Sequence, residues 1–304
     1  MSVDVKSEGI RRLVDENVEV EQLGTGFTFT EGPIWNSAGQ FLLFSDMPGD
    51  TRRRWDASGV QVVASPSNKG NGMTLDADGR LIVCEHSTSS LVRMDPDGTG
   101  TNREVLASHY EGQELNSPND VCVKSDGSIW FSDPWYGRMP VFGVEREREL
   151  GWQGVFRLAP GGGAPQLVVE QDEYEQPNGL CFSPDESLLY IADTGATHRA
   201  DGPHHVRRFR VSADGRSISG GEVFAVCPVG LFDGFRVDVH GNLWLSAGDG
   251  VRCHASDGAL LGRVLIPESV ANVCFGGPKL NRLFVCGTSS LYSVFLNTRA
   301  APRP

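Results

Sequence analysis

The chain has 304 residues, with 39 Asp plus Glu against 27 Lys plus Arg and a formal net charge of −12. That balance argues against a nucleic-acid or anionic-membrane partner. No stretch approaches the roughly 20 apolar residues of a membrane span, and the first residues, MSVDVKSEGIRRLVDENVEV, lack the apolar core of a signal peptide, so a cytoplasmic protein is expected.

Residues 1–16 read as an N-terminal extension of a single domain covering 1–304. Val18-Glu-Val-Glu, running on to Phe29, reads as a strand with no partner beside it in sequence. From Thr30 onward one pattern recurs six times. Its copies are TEGPIWNSAGQFLLFSD from Thr30, GNGMTLDADGRLIVCEH from Gly70 and PNDVCVKSDGSIWFSD from Pro118. They continue with PNGLCFSPDESLLYIAD from Pro177, FDGFRVDVHGNLWLSAG from Phe232 and ANVCFGGPKLNRLFVCG from Ala271. Each copy opens on a polar residue, continues as an alternating apolar strand, turns, and returns as a strongly apolar strand. Gly39, Gly79, Gly127 and Gly241 each stand eight residues after the opening residue, as a hairpin turn requires. Third strands follow at Leu91-Val-Arg-Met, Gly154–Leu158, Val206–Val211 and Leu291–Phe295, and fourth strands at Gln61-Val-Val-Ala and Gln166–Glu170. Arg52-Arg53-Arg54 is too short a basic run for a binding patch and reads as solvated loop. Gly161-Gly-Gly reads as a hairpin turn.

Four strands per unit, with openings 39 to 59 residues apart, describe the blades of an all-β, six-bladed β-propeller with four-stranded antiparallel blades. The last unit shows only three strands, so the segment before Thr30 is expected to supply its outer strand and close the ring, removing an exposed sheet edge. The seven cysteines (84, 122, 181, 227, 253, 274 and 286) form no CxxC pair and mostly sit in apolar runs, as buried free thiols do in a reducing compartment.

The opening residues are Glu31, Asn71, Asn119, Asn178, Asp233 and Asn272. In a propeller the first strand of each blade lines the central channel, so all six fall on one ring at one end. Each carries a side-chain oxygen. Burying so many without partners would cost several kcal/mol, and a cation explains the composition. Oxygen-only donors suit a hard divalent ion, with calcium preferred and magnesium, manganese or zinc as alternatives, although zinc ordinarily takes His or Cys. Glu31, Asn119, Asn178 and Asp233 are the expected metal ligands. The bland alternative, that these residues cap turns at strand starts, suits Asn-Gly and Asp-Gly but not Glu31.

At these residues the sequence resembles the gluconolactonase family that includes senescence marker protein 30 and regucalcin. The resemblance runs from about Glu31 to Leu296 and rests on Glu31-Gly-Pro, Ser117-Pro-Asn-Asp, Pro177-Asn-Gly-Leu with Phe182-Ser-Pro-Asp, and Asp233-Gly. It implies a propeller with one catalytic divalent metal, held by the residues corresponding to Glu31, Asn178 and Asp233. Asn119 corresponds to a residue shared between metal and substrate. The mammalian branch carries Arg two residues before that Asn; here the position is Ser117. Asn116-Ser-Pro-Asn-Asp and Cys84-Glu-His look closer to bacterial gluconolactonases.

The expected activity is metal-dependent hydrolysis of a small-molecule sugar lactone, with the metal polarising the carbonyl and Asp233 as general base. Two alternatives share the site: a phosphotriesterase or aryl-esterase, since organophosphate-hydrolysing propellers carry similar ligands, and a non-enzymatic calcium-binding propeller. Substrate contacts are expected from Asn71, Asn119, His86, Trp135 and Asn272. The long connections 134–152 and 194–205 should wall the pocket, adding Tyr136, His198 and His204 as candidates. No nucleophile elbow or phosphate-binding glycine loop is present, and no amphipathic interface points to an oligomer.

Overall fold

A computed structural model describes residues 2–302. It arranges the six repeats as six antiparallel sheets in chain order. Blade 1 runs through Thr30–Asn36, Phe41–Asp46, Thr51–Asp56 and Gly59–Ala64. Blade 2 runs through Gly70–Leu75, Leu81–Glu85, Ser90–Met94 and Glu104–Ala107. Blade 3 uses Val121–Val123, Ile129–Asp133, Gly154–Leu158 and Gln166–Leu167; blade 4 uses Pro177–Phe182, Leu188–Asp193, His205–Val211 and Ile218–Val226. Blade 5 holds Phe235–Val237, Leu243–Ala247, Gly250–His254 and Leu260–Val264, and blade 6 holds Val270–Gly276, Arg282–Gly287 and Ser290–Phe295. The innermost strand of each blade touches that of the next, and blade 6 returns to blade 1.

The ring closes as the unpaired early strand requires. Glu21–Thr25 lies antiparallel to Ser290–Phe295 as the fourth strand of blade 6. The residues before it are also structured. Val3–Val5 adds a fifth strand to blade 5 by pairing with Val264, Arg263 and Gly262. Helix Glu8–Leu13 follows, capped by the Ser7 hydroxyl, which accepts from the Gly9 N–H, and buries Ile10 and Leu13.

Apolar alternation on the strands buries side chains between blades rather than inside one central core. Six clusters of buried residues form, each spanning one junction between neighbouring blades. At the closing junction Trp35 of blade 1 stacks on Phe284 of blade 6, with centroids 5.5 Å apart. Each fully buried side chain of this size, such as Phe44, contributes on the order of 1.5–3 kcal/mol.

One local expectation is corrected. Arg52-Arg53-Arg54 is not solvated loop but part of the third strand of blade 1, and Arg52 is 2% exposed. Strand alternation turns it toward blade 2, where it donates to Gly98 O (2.8 Å) and approaches Met94 Sδ (3.2 Å). A run of three like charges conceals the period-two pattern that decides which of them is buried.

Candidate active site

The ring residues owe their position to an irregularity repeated at the start of the innermost strands. Pairing registers slip between Glu31 and Ile34, Gly70 and Met73, Pro177 and Leu180, and Val270 and Asn272. In blades 3 and 5 regular pairing begins only at Val121 and Phe235, beyond Asn119 and Asp233. Such bulges re-aim a side chain that regular alternation would send into the sheet.

The glycine after the opening residue makes the close approach possible. Gly72 donates its N–H to Asn119 O (2.8 Å), Gly179 to Asp233 O (3.2 Å) and Gly234 to Ala271 O (2.8 Å). Each bond links one blade to the next. A Cβ on Gly32 would overlap Asn71 O, one on Gly179 would overlap Asp233 O, and one on Gly234 would overlap the Asn272 side chain. The Glu-Gly, Asn-Gly and Asp-Gly pairs are therefore inter-blade contacts and not turn caps.

A second repeated device fixes the chain entering the ring. The acid ending the second strand accepts backbone N–H groups from the residues two and three places before the opening residue. Asp46 Oδ1 accepts from Thr28 (2.9 Å) and Phe29 (3.2 Å). Asp133 accepts from Asn116 (2.8 Å) and Ser117 (2.7 Å). Asp193 accepts from Glu175 (3.0 Å) and Gln176 (2.9 Å). Burial lifts the Asp133 carboxyl to about 7 and Asp193 above the usual carboxylate range, while these N–H donors pull both back.

Above the ring lies a cavity of about 270 Å³. Glu31, Asn71, Asn119, Asn178 and Asp233 all line it. Asn178 donates Nδ2–H to Thr194 Oγ1 (3.2 Å), so the amide oxygen is the group left for a ligand. Asn71 Nδ2 meets His86 Nε2 at 3.2 Å, and His86 Nδ1 meets Phe142 O at 3.0 Å. A carbonyl only accepts, so Nδ1 carries the proton and Nε2 accepts from Asn71. Asn71 Oδ1 is then buried without a partner.

Two buried carboxyl groups, those of Glu31 and Asp233, set the electrostatics of the floor. Burial raises the Glu31 carboxyl, against hydrogen bonds from Asn272 Nδ2 (2.9 Å) and Gly32 N (2.7 Å). Burial, and then the neighbouring Glu31 charge, push the Asp233 carboxyl up as well. Among the described residues no three His, Cys, Asp or Glu side chains group as metal ligands. The floor instead combines two carboxylates with amides, an oxygen donor set that a hard divalent ion would fit and whose charge it would neutralise. Burial pushes the His86 imidazole down to about 4, so it is neutral.

The four expected ligands, Glu31, Asn119, Asn178 and Asp233, thus meet at one cavity, with Asn71 and His86 beside them. Asn272 lies behind Glu31 and outside the cavity lining. Trp135 also stands one layer back, its indole stacked on His198 at 4.5 Å. Both long connections contribute to the wall. Tyr136 and Met139 come from one, and Thr194, Thr197 and His198 from the other. The Tyr136 hydroxyl ties them together, 2.8 Å from Thr194 Oγ1 and 2.7 Å from Thr197 Oγ1. His204 does not line the cavity; its Nδ1 sits 3.1 Å from Gly202 O.

Phe29, Met47, Met139, Phe142, Thr194, Thr197 and Leu231 escaped the sequence reading. The repeat held the signal for four of them. Phe29 and Leu231 both stand two places before an opening residue. Met47, Thr194 and the recognised His86 all directly follow a second strand.

The chain matches the family profile described as SMP-30/gluconolactonase/LRE-like region over residues 29–289. It is 30% identical to a gluconolactonase from Zymomonas mobilis, in an alignment covering 94% of this chain and 83% of that protein. A pentonolactonase from Haloferax volcanii is 28% identical, covering 84% and 80%. The solved structure of a gluconolactonase from Xanthomonas campestris superimposes with a TM-score of 0.88 at 35% identity, covering 97% of this chain and 95% of that one.

Proposed function

The chain belongs to the SMP-30/gluconolactonase family, and we propose that it hydrolyses a sugar lactone at the cavity above the ring, with a divalent metal ion held by Glu31, Asn119, Asn178 and Asp233. It is a lactonase, a carboxylic-ester hydrolase, as its relatives are. One observation carries the reading of the site: Glu31 and Asp233, both with carboxyl groups raised toward the neutral form, share the cavity floor with the amides of Asn119 and Asn178. When bound, a divalent ion supplies a Lewis acid that draws charge from the lactone carbonyl. Calcium is the preferred ion on the oxygen-only donor set.

The side chains supply the remaining chemistry. The Asp233 carboxylate takes a proton from the attacking water as the water oxygen bonds to the carbonyl carbon. The tetrahedral adduct collapses by breaking the bond to the ring oxygen. The proton held by Asp233 passes to that oxygen, and an open-chain hydroxy acid leaves. The unpartnered Asn71 Oδ1 offers an acceptor for a substrate hydroxyl, and the neutral His86 fixes that amide from behind. Tyr136, Thr194 and Thr197 place hydroxyls on the wall where a polyhydroxylated ring can be oriented. The phosphotriesterase and calcium-scaffold alternatives gain no support from the relatives.

The test is Asp233→Asn assayed beside the wild type, with bound metal measured in both. Turnover lost by about a hundredfold or more while metal is retained supports the base role, since a positioned base contributes roughly 10²–10⁴. Near-normal turnover removes Asp233 from the mechanism.

A further inference from the structure

The floor of the cavity is polar, and a large part of its wall is apolar. Phe29, Met47, Met139, Phe142 and Leu231 present apolar side chains to the same space. Among the described lining residues none is Lys or Arg. The nearest cations on the bordering connection are engaged elsewhere. Arg138 donates to Asn116 O (2.7 Å) and pairs with Glu114 (2.9 Å), and Arg146 also pairs with Glu114 (3.2 Å). Arg148 lies over the Trp135 ring at 5.0 Å, that ring stacks on His198 at 4.5 Å, and Arg148 itself does not line the cavity. Lys69 does not line the cavity, and its Nζ donates to Val141 O (2.7 Å) and Pro48 O (3.3 Å). The two histidines that do line the space, His86 and His198, are both shifted toward the neutral form by burial.

From this wall we infer the class of lactone, resting on the lactonase reading: an uncharged lactone whose exocyclic end, directed away from the carbonyl, is apolar or capped, and not one bearing phosphate, sulfonate or carboxylate there. The lactone carbonyl must reach the ring floor, so a substituent directed away from it enters the wall that these five apolar side chains share with Tyr136, Thr194, Thr197 and His198. A charged group there would lose its water without gaining a cation among the lining residues, which is costly. A methyl or methoxy group would bury apolar area instead.

The experiment compares glucono-1,5-lactone, its 6-O-methyl ether and its 6-phosphate by pH-stat on metal-loaded enzyme. Calorimetry with the three corresponding lactams, which do not hydrolyse, measures binding in parallel. The inference expects kcat/KM for the 6-O-methyl ether to equal or exceed that of the parent. The phosphate should fall at least about tenfold below it, the scale of one poorly solvated polar contact, with lactam affinities in the same order. Leu231→Arg and, independently, Met139→Lys should narrow the phosphate gap by adding a cation to the wall. Phosphate turned over or bound as well as the parent, or a 6-O-methyl ether disfavoured tenfold, overturns the inference. Absence of turnover on all three lactones contradicts the lactonase reading instead, and the lactam affinities still decide the charge preference.

Discussion

Asn272 Nδ2 donates to Glu31 Oε2 at 2.9 Å, joining the last blade of the ring to the first at the floor of the cavity. The same Asn272 is tied locally, since its Oδ1 accepts from the Val273 N–H at 2.8 Å. Both ends of the amide are fixed, so one carboxylate oxygen of Glu31 is held in place and the other is left for a ligand. Asn272→Ala should therefore weaken divalent-ion binding about 10–100-fold, as loss of an outer partner of a ligand does, with the fold intact. Calorimetric titration of both proteins checks this, with circular dichroism as the control.

The glycines of the repeat are constrained by neighbouring backbone. Gly179→Ala would drive a methyl group into Asp233 O, displacing a proposed ligand and base. A loss of about 1–3 kcal/mol in urea unfolding is expected, with a larger proportional loss of turnover. Gly151→Ala meets nothing within 4 Å and should stay within about 0.5 kcal/mol of the wild type. Equal behaviour of the two variants would contradict the close-approach account.

Much of this architecture was legible because a repeat displays its own alignment. Six polar openings, glycine turns and apolar returns located the channel ring, and the missing strand of the last unit pointed to Glu21–Thr25. What stayed hidden depended on contacts between repeats or on loops outside them. Arg52 is buried through the packing of blade 1 against blade 2, and nothing in Arg52-Arg53-Arg54 marks which arginine turns inward. Val3–Val5 is too short to announce itself as a strand. Phe142 reaches the cavity through an irregular connection that periodicity does not describe, whereas Phe29 and Leu231 became readable once the repeat's register was extended two residues upstream.

His86 gives the site a pH signature. Its imidazole falls from 6.5 to about 4 on burial, so the unfolded chain binds the proton more readily between those values. Stability from the neutral imidazole is full above pH 6.5 and declines as pH drops toward 4. The loss is on the order of 3 kcal/mol, at about 1.4 kcal/mol for each pH unit between the two values. Urea midpoints measured from pH 7 to pH 4 should fall more steeply for the wild type than for His86→Gln. Parallel curves would show that His86 is not the group responsible.

The central claim is that lactone opening depends on a divalent ion held by the ring oxygens of Glu31, Asn119, Asn178 and Asp233. The most direct measurement is a pH-stat assay on glucono-1,5-lactone with enzyme stripped by chelator and refilled with calcium, magnesium, manganese or zinc one at a time. Turnover that vanishes on stripping and returns with at least one of these ions, in the wild type but not in Glu31→Gln, is the expected result. Full activity in the stripped enzyme, or no lactone hydrolysis with any ion, would contradict the account.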